Sequence, residues 1–227
     1  MSVVLPAPRF GAGGAEPWAA ALRGAVRSLF LVPTDPAAVV EHLDVRRWTT
    51  AADPVDRSAL DGLAGPLLDI GSGPGRMVRA ALDAGIEAYG LDADPTAVET
   101  SRQAGIPVLA GSVFDPLPDE GAWASLLLLD GNIGIGGDVE ALLARCAELL
   151  RPGGVLVAEA DADPTRDDVT DYRVRDSEGR ESEVFPWSQV GLVALHRRAH
   201  GFALERTWEL DGRSFVALRN RSPLTVL

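Results

Sequence analysis

The chain has 227 residues, 46% of them hydrophobic, a length that suits one α/β domain or one domain with an added cap. Its formal net charge of −12 disfavours nucleic acid as a partner, because an acidic surface repels a phosphate backbone. Lysine is absent, which excludes Schiff-base chemistry and the P-loop lysine, and the single cysteine, Cys146, excludes an internal disulfide or a cysteine metal cluster.

Residues 1–14 are apolar and then glycine-rich. Pro17 suits the first position of a helix, and Trp18, Ala21, Leu22, Ala25, Val26 and Leu29 follow at helical spacing. Asp35 and Pro36 predict a second helix carrying Val39, Val40 and Leu43. Residues 15–63 therefore read as a helical cap, within an N-terminal unit spanning 1–63. Arg47 and Trp48 either line a pocket or sit on a surface loop.

The second unit, 64–227, opens on Leu67–Ile70, a short apolar run of the kind that fills a parallel sheet buried on both faces. Gly71, Gly73 and Gly75 follow at alternate positions and let the backbone turn sharply beside a ligand. Val78, Ala81 and Leu82 mark a helix, and 86–92 a second strand ending at Asp92. That acid lies where a nucleotide-binding βαβ unit places a ribose-binding carboxylate. Two ligands compete for this unit. A dinucleotide wants G-x-G-x-x-G, whereas here the glycines alternate around Ser72 and Pro74. Asp69, just before the loop, would repel a pyrophosphate and attract a cation.

The stretch Leu67-Leu68-Asp69-Ile70-Gly71-Ser72-Gly73-Pro74-Gly75 resembles motif I of the class I S-adenosylmethionine-dependent methyltransferases. The resemblance implies an α/β fold with a doubly wound, seven-stranded, mostly parallel sheet in order 3-2-1-4-5-7-6, here behind an N-terminal helical cap. It implies S-adenosylmethionine as cofactor, held by Asp69, Gly71, Ser72, Gly73, Gly75, Asp92 and Ala93. It also implies that the turn after the third strand, 110–115, holds the adenine. An acid is common there in the family; this chain has Ser112, followed by Val113.

Further along, Asp94 and Pro95 start a helix that Gly105 stops, and 106–109 is the third strand. Trp123 to Leu129 is the fourth strand. Its loop, 130–138, is rich in glycine and carries Asp130 and Asn132, the polar groups best placed to meet an acceptor or the cofactor's ammonium. Both are candidate catalytic residues, with Asp130 the first candidate for a general base and His42 the second. Helical spacing over 139–149 buries Cys146 as a small hydrophobe. Leu149 to Gly154 resembles the segment that leads into the fifth strand of the same family.

A hairpin near 171–187 reads as an insertion, Ser188 as the cap of a helix with Leu192, Leu195, His196 and Ala199 inside, and 202–219 as a closing antiparallel hairpin. His196 and His200 stand four apart, but Arg197 and Arg198 beside them argue against a metal, and none is expected. No stretch is long and apolar enough to span a bilayer, and no basic segment leads into an apolar core at the start, so the expected setting is cytoplasmic with no membrane partner. The expected activity is methyl transfer to a small-molecule acceptor. The alternatives are a non-catalytic binder of the same cofactor, an aminopropyl transferase, and an NAD-dependent dehydrogenase, the last disfavoured by the loop spacing.

Overall fold

The computed structural model describes Phe10 and residues 17–221; the glycine-rich stretch 11–14 and residues 222–227 lie outside it. Pro17–Leu22 forms a short helix (α1) that buries Trp18 and three alanines. The helix expected to run on to Leu29 stops because Gly24 takes φ +75°, a left-handed turn open to glycine. Leu29–Pro33 is instead a strand (β1) with alternating burial. The helix expected after Asp35 does not form either. Asp35 Oδ1 accepts from the Ala37 N–H at 2.9 Å and closes a local turn, while Val39 and Val40 stay exposed. With no apolar face to bury as a helix, the segment ends as Glu41–Leu43 (β2), antiparallel to β1 with Glu41 opposite Leu31. The cap is therefore mixed and not helical: two strands, α1, and two short helices, Val45–Thr49 (α2) and Pro54–Ser58 (α3). A reciprocal capping box between Asp53 and Asp56 starts α3.

From Leu67 onward the elements follow the pattern of the sequence. Leu67–Ile70 (β3) is buried throughout, followed by Arg76–Asp83 (α4), Ala88–Asp92 (β4), Pro95–Gln103 (α5) and Val108–Ala110 (β5). Trp123–Leu128 (β6), Val139–Leu149 (α6) and Leu150–Ala160 (β7) complete the parallel part. Asp167–Asp176 (β8) and Phe185–Val190 (β9) form the expected hairpin. Then come Leu192–Arg198 (α7), Phe202–Leu210 (β10) and Arg213–Asn220 (β11). Helix α7 is capped by Gly191 and not by Ser188, which lies in β9 and donates its hydroxyl to the Gly137 carbonyl at 2.8 Å. His196 is exposed, and Ala194 and Leu195 form the inner face of α7.

Seven strands lie in the order β10-β11-β7-β6-β3-β4-β5, with β11 antiparallel to both neighbours and the others parallel. Counted from β3 with the hairpin strands left out, this is the doubly wound order that the resemblance implied. Leu142, Leu143, Cys146 and Leu195 pack one face; Val55, Met77, Val78 and Ala81 pack the other. Burial pushes the Cys146 thiol up to about 12, which suits an inert core residue.

A second sheet runs β2-β1-β8-β9. The inserted hairpin is thus joined to the cap, with Leu31 paired to Val174. Its inner face carries Leu29, Leu31, Tyr172, Val174 and Phe185 and packs on Trp18 and Val26.

An ion cluster ties the cap to the larger sheet. Asp56 of α3, 1% exposed, accepts from Arg47 Nη2 at 3.0 Å, from Arg213 Nη1 at 2.8 Å and from Arg76 Nη1. Asp130 accepts from Arg76 Nη2 and pairs with Arg47 Nε at 3.1 Å, and Arg213 Nη2 reaches Glu159 Oε2 at 2.6 Å. Three arginines face three carboxylates. Removing one partner of such a group strands a buried charge, which costs about 3–5 kcal/mol. Asp56→Ala should lower the unfolding free energy by about that amount in urea titration, far more than substitution of an exposed acid such as Asp211.

Candidate active site

The loop after β3 is shaped by its glycines. Gly71, Gly73 and Gly75 have φ of +72°, +55° and +87°, and Gly75 becomes the N-cap of α4. At Gly71 space is closed as well, since a Cβ there would lie 2.6 Å from Asn132 Nδ2. That same amide donates to the Ile70 and Gly71 carbonyls at 2.8 and 3.0 Å. Asn132 therefore clamps the loop.

Asp92 ends β4 beside this turn. Its Oδ2 accepts from the Gly73 N–H at 2.7 Å and its Oδ1 from the Asp94 N–H at 2.8 Å. Burial pushes its pKa up to about 6, and the backbone donors pull in the opposite direction. Asp69 is buried with no side-chain hydrogen bond among the described residues, and is pushed up to about 8 by burial, then by Asp130 and Asp92. Ser72 Oγ is buried and also lacks a hydrogen-bond partner among the described residues. Across the turn after β5, the Ser112 N–H donates to Asp115 Oδ2 at 2.9 Å, and Val113 is buried. Asp115 thus braces the backbone of this turn.

One cavity of about 650 Å³ joins these groups. Of the residues singled out in the sequence, Asp69, Gly71, Ser72, Gly73, Asp92, Ala93, Ser112, Val113, Asp130 and Asn132 all line it; Gly75 does not, because its role is to start α4. Asp130 is a poor general base in this arrangement, since Arg76 Nη2 donates to Oδ2, Arg213 Nη2 donates to Oδ1 at 3.5 Å, and the Arg47 guanidinium lies beside it. Its own φ is +54°, a left-handed conformation that Asp tolerates better than most residues. His42 is exposed, packs on Phe30 with ring centroids 5.5 Å apart, and stays off the cavity.

The opposite wall is aromatic. Trp18 meets Trp48 with ring centroids 5.1 Å apart, and Phe10 lies 5.3 Å from Trp18 and 5.7 Å from Trp187. Trp48 lines the cavity, whereas Arg47 belongs to the ion cluster. Trp187 comes so close to Gly134 that a Cβ there would lie 2.5 Å from its Nε1. The groups missed in the sequence are Arg76, Glu159 and Arg213, which share the wall with Asp130. Arg213 and its partner Asp56 are 157 positions apart, so no local spacing signals the pair.

This loop, this acid at the end of β4 and this sheet order define a class. Residues 68–158 match a family model described as a methyltransferase domain. A ribosomal protein L11 methyltransferase from Geobacter metallireducens is 32% identical over 146 residues, covering 58% of this chain and 48% of that protein. A ubiquinone biosynthesis O-methyltransferase from Chelativorans sp. (strain BNC1) is 28% identical over 109 residues, covering 46% of this chain and 42% of that protein. The chain thus spans about half the length of the curated relatives it matches. Among solved structures, a SAM-dependent methyltransferase from Bacteroides fragilis in complex with S-adenosyl-L-homocysteine shares the fold, with a TM-score of 0.76 and 21% identity over 91% of this chain and 95% of that one. Residues 68–158 thus match a methyltransferase domain, set in a fold shared with S-adenosylmethionine-dependent methyltransferases.

The residues present fit S-adenosylmethionine. Asp69 offers a buried carboxyl with no hydrogen-bonded partner to a cationic ligand, and Asp92 has lone pairs left for ribose hydroxyls. Charge-assisted hydrogen bonds contribute about 1.5–3 kcal/mol each. Asp92→Ala should therefore weaken S-adenosylhomocysteine binding by about tenfold or more in calorimetry, with an unchanged circular dichroism spectrum. Asp69 generates a pH dependence. With its pKa raised to about 8, the empty site holds it largely protonated at neutral pH, and a bound ammonium favours the carboxylate. Binding should release protons below about pH 8, and affinity should rise with pH up to that value. Calorimetry at pH 7 in buffers of different ionisation heat checks this; the proton release should vanish in Asp69→Asn.

Proposed function

We propose that the protein moves a methyl group from S-adenosylmethionine to a small-molecule acceptor in the cytoplasm. In this reading Asp92 holds the ribose, Ser112 and Val113 meet the adenine, and Asp69 faces the cationic end. The acceptor lies between the Asp130–Gly137 loop, the hairpin β8–β9 and the cap. The observation that carries the reading is the single cavity running from the glycine loop to the aromatic wall.

When bound, the cofactor supplies a methyl group already activated by the sulfonium charge. What remains for the chain is to align an acceptor with it and keep water out. Trp18 packs near the loop, 3.9 Å from where a Gly73 Cβ would stand, and Trp187 closes on Gly134. Both rings remove water from the space between them. Asp130 and Asn132 act by position: one fixes the ion-paired wall, the other holds the glycine loop. A wall folded over on both sides favours an acceptor that enters whole, and the acidity of the chain disfavours nucleic acid. Among the described residues no helix is long and apolar enough to cross a membrane.

Calorimetry with S-adenosylhomocysteine and with NAD, followed by a screen of small-molecule acceptors with labelled cofactor, tests the proposal. The expected result is binding of S-adenosylhomocysteine alone and transfer of label to a small molecule. Tight NAD binding with no heat from S-adenosylhomocysteine would overturn it. Once an acceptor is found, Trp187→Ala should impair its turnover while cofactor affinity stays near normal.

A further inference from the structure

The inner face of the smaller sheet is apolar at Leu29, Leu31, Leu43, Val174 and Phe185, and two carboxylates share it: Asp176, buried and paired with Arg180, and Glu41 on the cavity side. Glu41 alternates with exposed His42 on β2, so it shares the inward side with Leu43, and both line the cavity. The Glu41 side chain is 36% exposed and open to the cavity. Its neighbour Gln189 is held in one orientation: Gln189 Oε1 accepts from Tyr172 Oη at 2.7 Å and from Arg166 Nη2. The amide must then present Nε2 to Glu41 Oε1, at 2.7 Å. Arg166 approaches that same oxygen at 3.5 Å. No hydrogen bond reaches Glu41 Oε2 among the described residues.

The remaining charge on the wall points the same way. Asp69 and Asp92 are given to the cofactor in this reading, and Asp115 beside the adenine turn has no arginine partner among the described residues. Arg76 and Arg213 face it too, but each is already divided between two or more carboxylates of the ion cluster. An anionic acceptor would meet Glu41 and, among the described residues, no unspent cation.

Resting on the methyltransferase reading, we propose that the acceptor is an aromatic small molecule bearing an amine or another hydrogen-bond donor and no anionic group. The ring packs on Trp48 and Trp187, and the donor is read by Glu41 beside Gln189. Glu41 is a specificity-determining residue in this assignment.

The test uses three indoles of nearly equal shape and different charge: tryptamine, indole and indole-3-acetate. Each is titrated calorimetrically into the full chain saturated with S-adenosylhomocysteine. Tryptamine should bind about tenfold more tightly than indole-3-acetate, with indole between them. Glu41→Gln, which keeps the shape and removes the charge, should narrow that gap while S-adenosylhomocysteine affinity stays unchanged. Equal or tighter binding of indole-3-acetate would overturn the proposal, as would no binding by any of the three to the saturated protein. A gap unchanged in Glu41→Gln would remove Glu41 from the assignment. Failure of S-adenosylhomocysteine to bind would instead sink the methyltransferase reading, and the saturation step reports that separately.

Discussion

A carboxylate buried at the junction of cap and sheet, Asp56, sets conditions that the rest of the structure must meet. Burying a charge is costly unless hydrogen-bonded opposite charges surround it. Asp56 draws arginines from α2, α4 and the start of β11 onto itself, and those arginines require Asp130 and Glu159 in turn. The cluster balances three positive charges against three negative ones. Its members lie far apart in the chain, so satisfying it requires the cap, the glycine-loop helix and the last strand to be seated together.

That requirement places the cavity. The ion cluster forms one wall beside the ends of the parallel strands, where ligands of doubly wound sheets bind. Because the arginines are already paired, the wall offers little positive charge to a ligand. Asp69 and Asp92 beside it are pushed up by burial, so the region is poised to gain from a cationic ligand. The aromatic wall contributes the complementary property: an apolar surface from Trp18 of α1, Trp48 of α2 and Trp187 of β9. Methyl transfer from a sulfonium asks little of a protein beyond alignment and exclusion of water, and in the proposed function these two walls serve both.

Close approach matters as much as charge. Asn132 fits because Gly71 has no Cβ, and Trp187 closes because Gly134 has none. Gly71 after β3 and Gly134 after β6 therefore each let a side chain from another element approach the backbone closely.

Several features were legible in the sequence because they are local. The run from Leu67 to Gly75, the acid ending β4, the Asp94-Pro95 and Asp138 helix starts and the spacing around Cys146 each report a backbone turn or a buried face within a few residues. They determined the parallel sheet and the glycine loop, which lines the cavity. Val26, Leu29, Val39 and Leu43 fit a helical period, yet β1 forms by pairing with β8, more than a hundred residues away, and β2 forms by pairing with β1. Asp130 looked like a free base for the same reason: nothing nearby in the chain announces Arg47, Arg76 or Arg213. The sequence by itself determined what short-range geometry and burial period can encode. Tertiary structure alone decided which charges neutralise one another and which oxygen remains for a ligand, because those depend on distances between segments that the chain order does not contain.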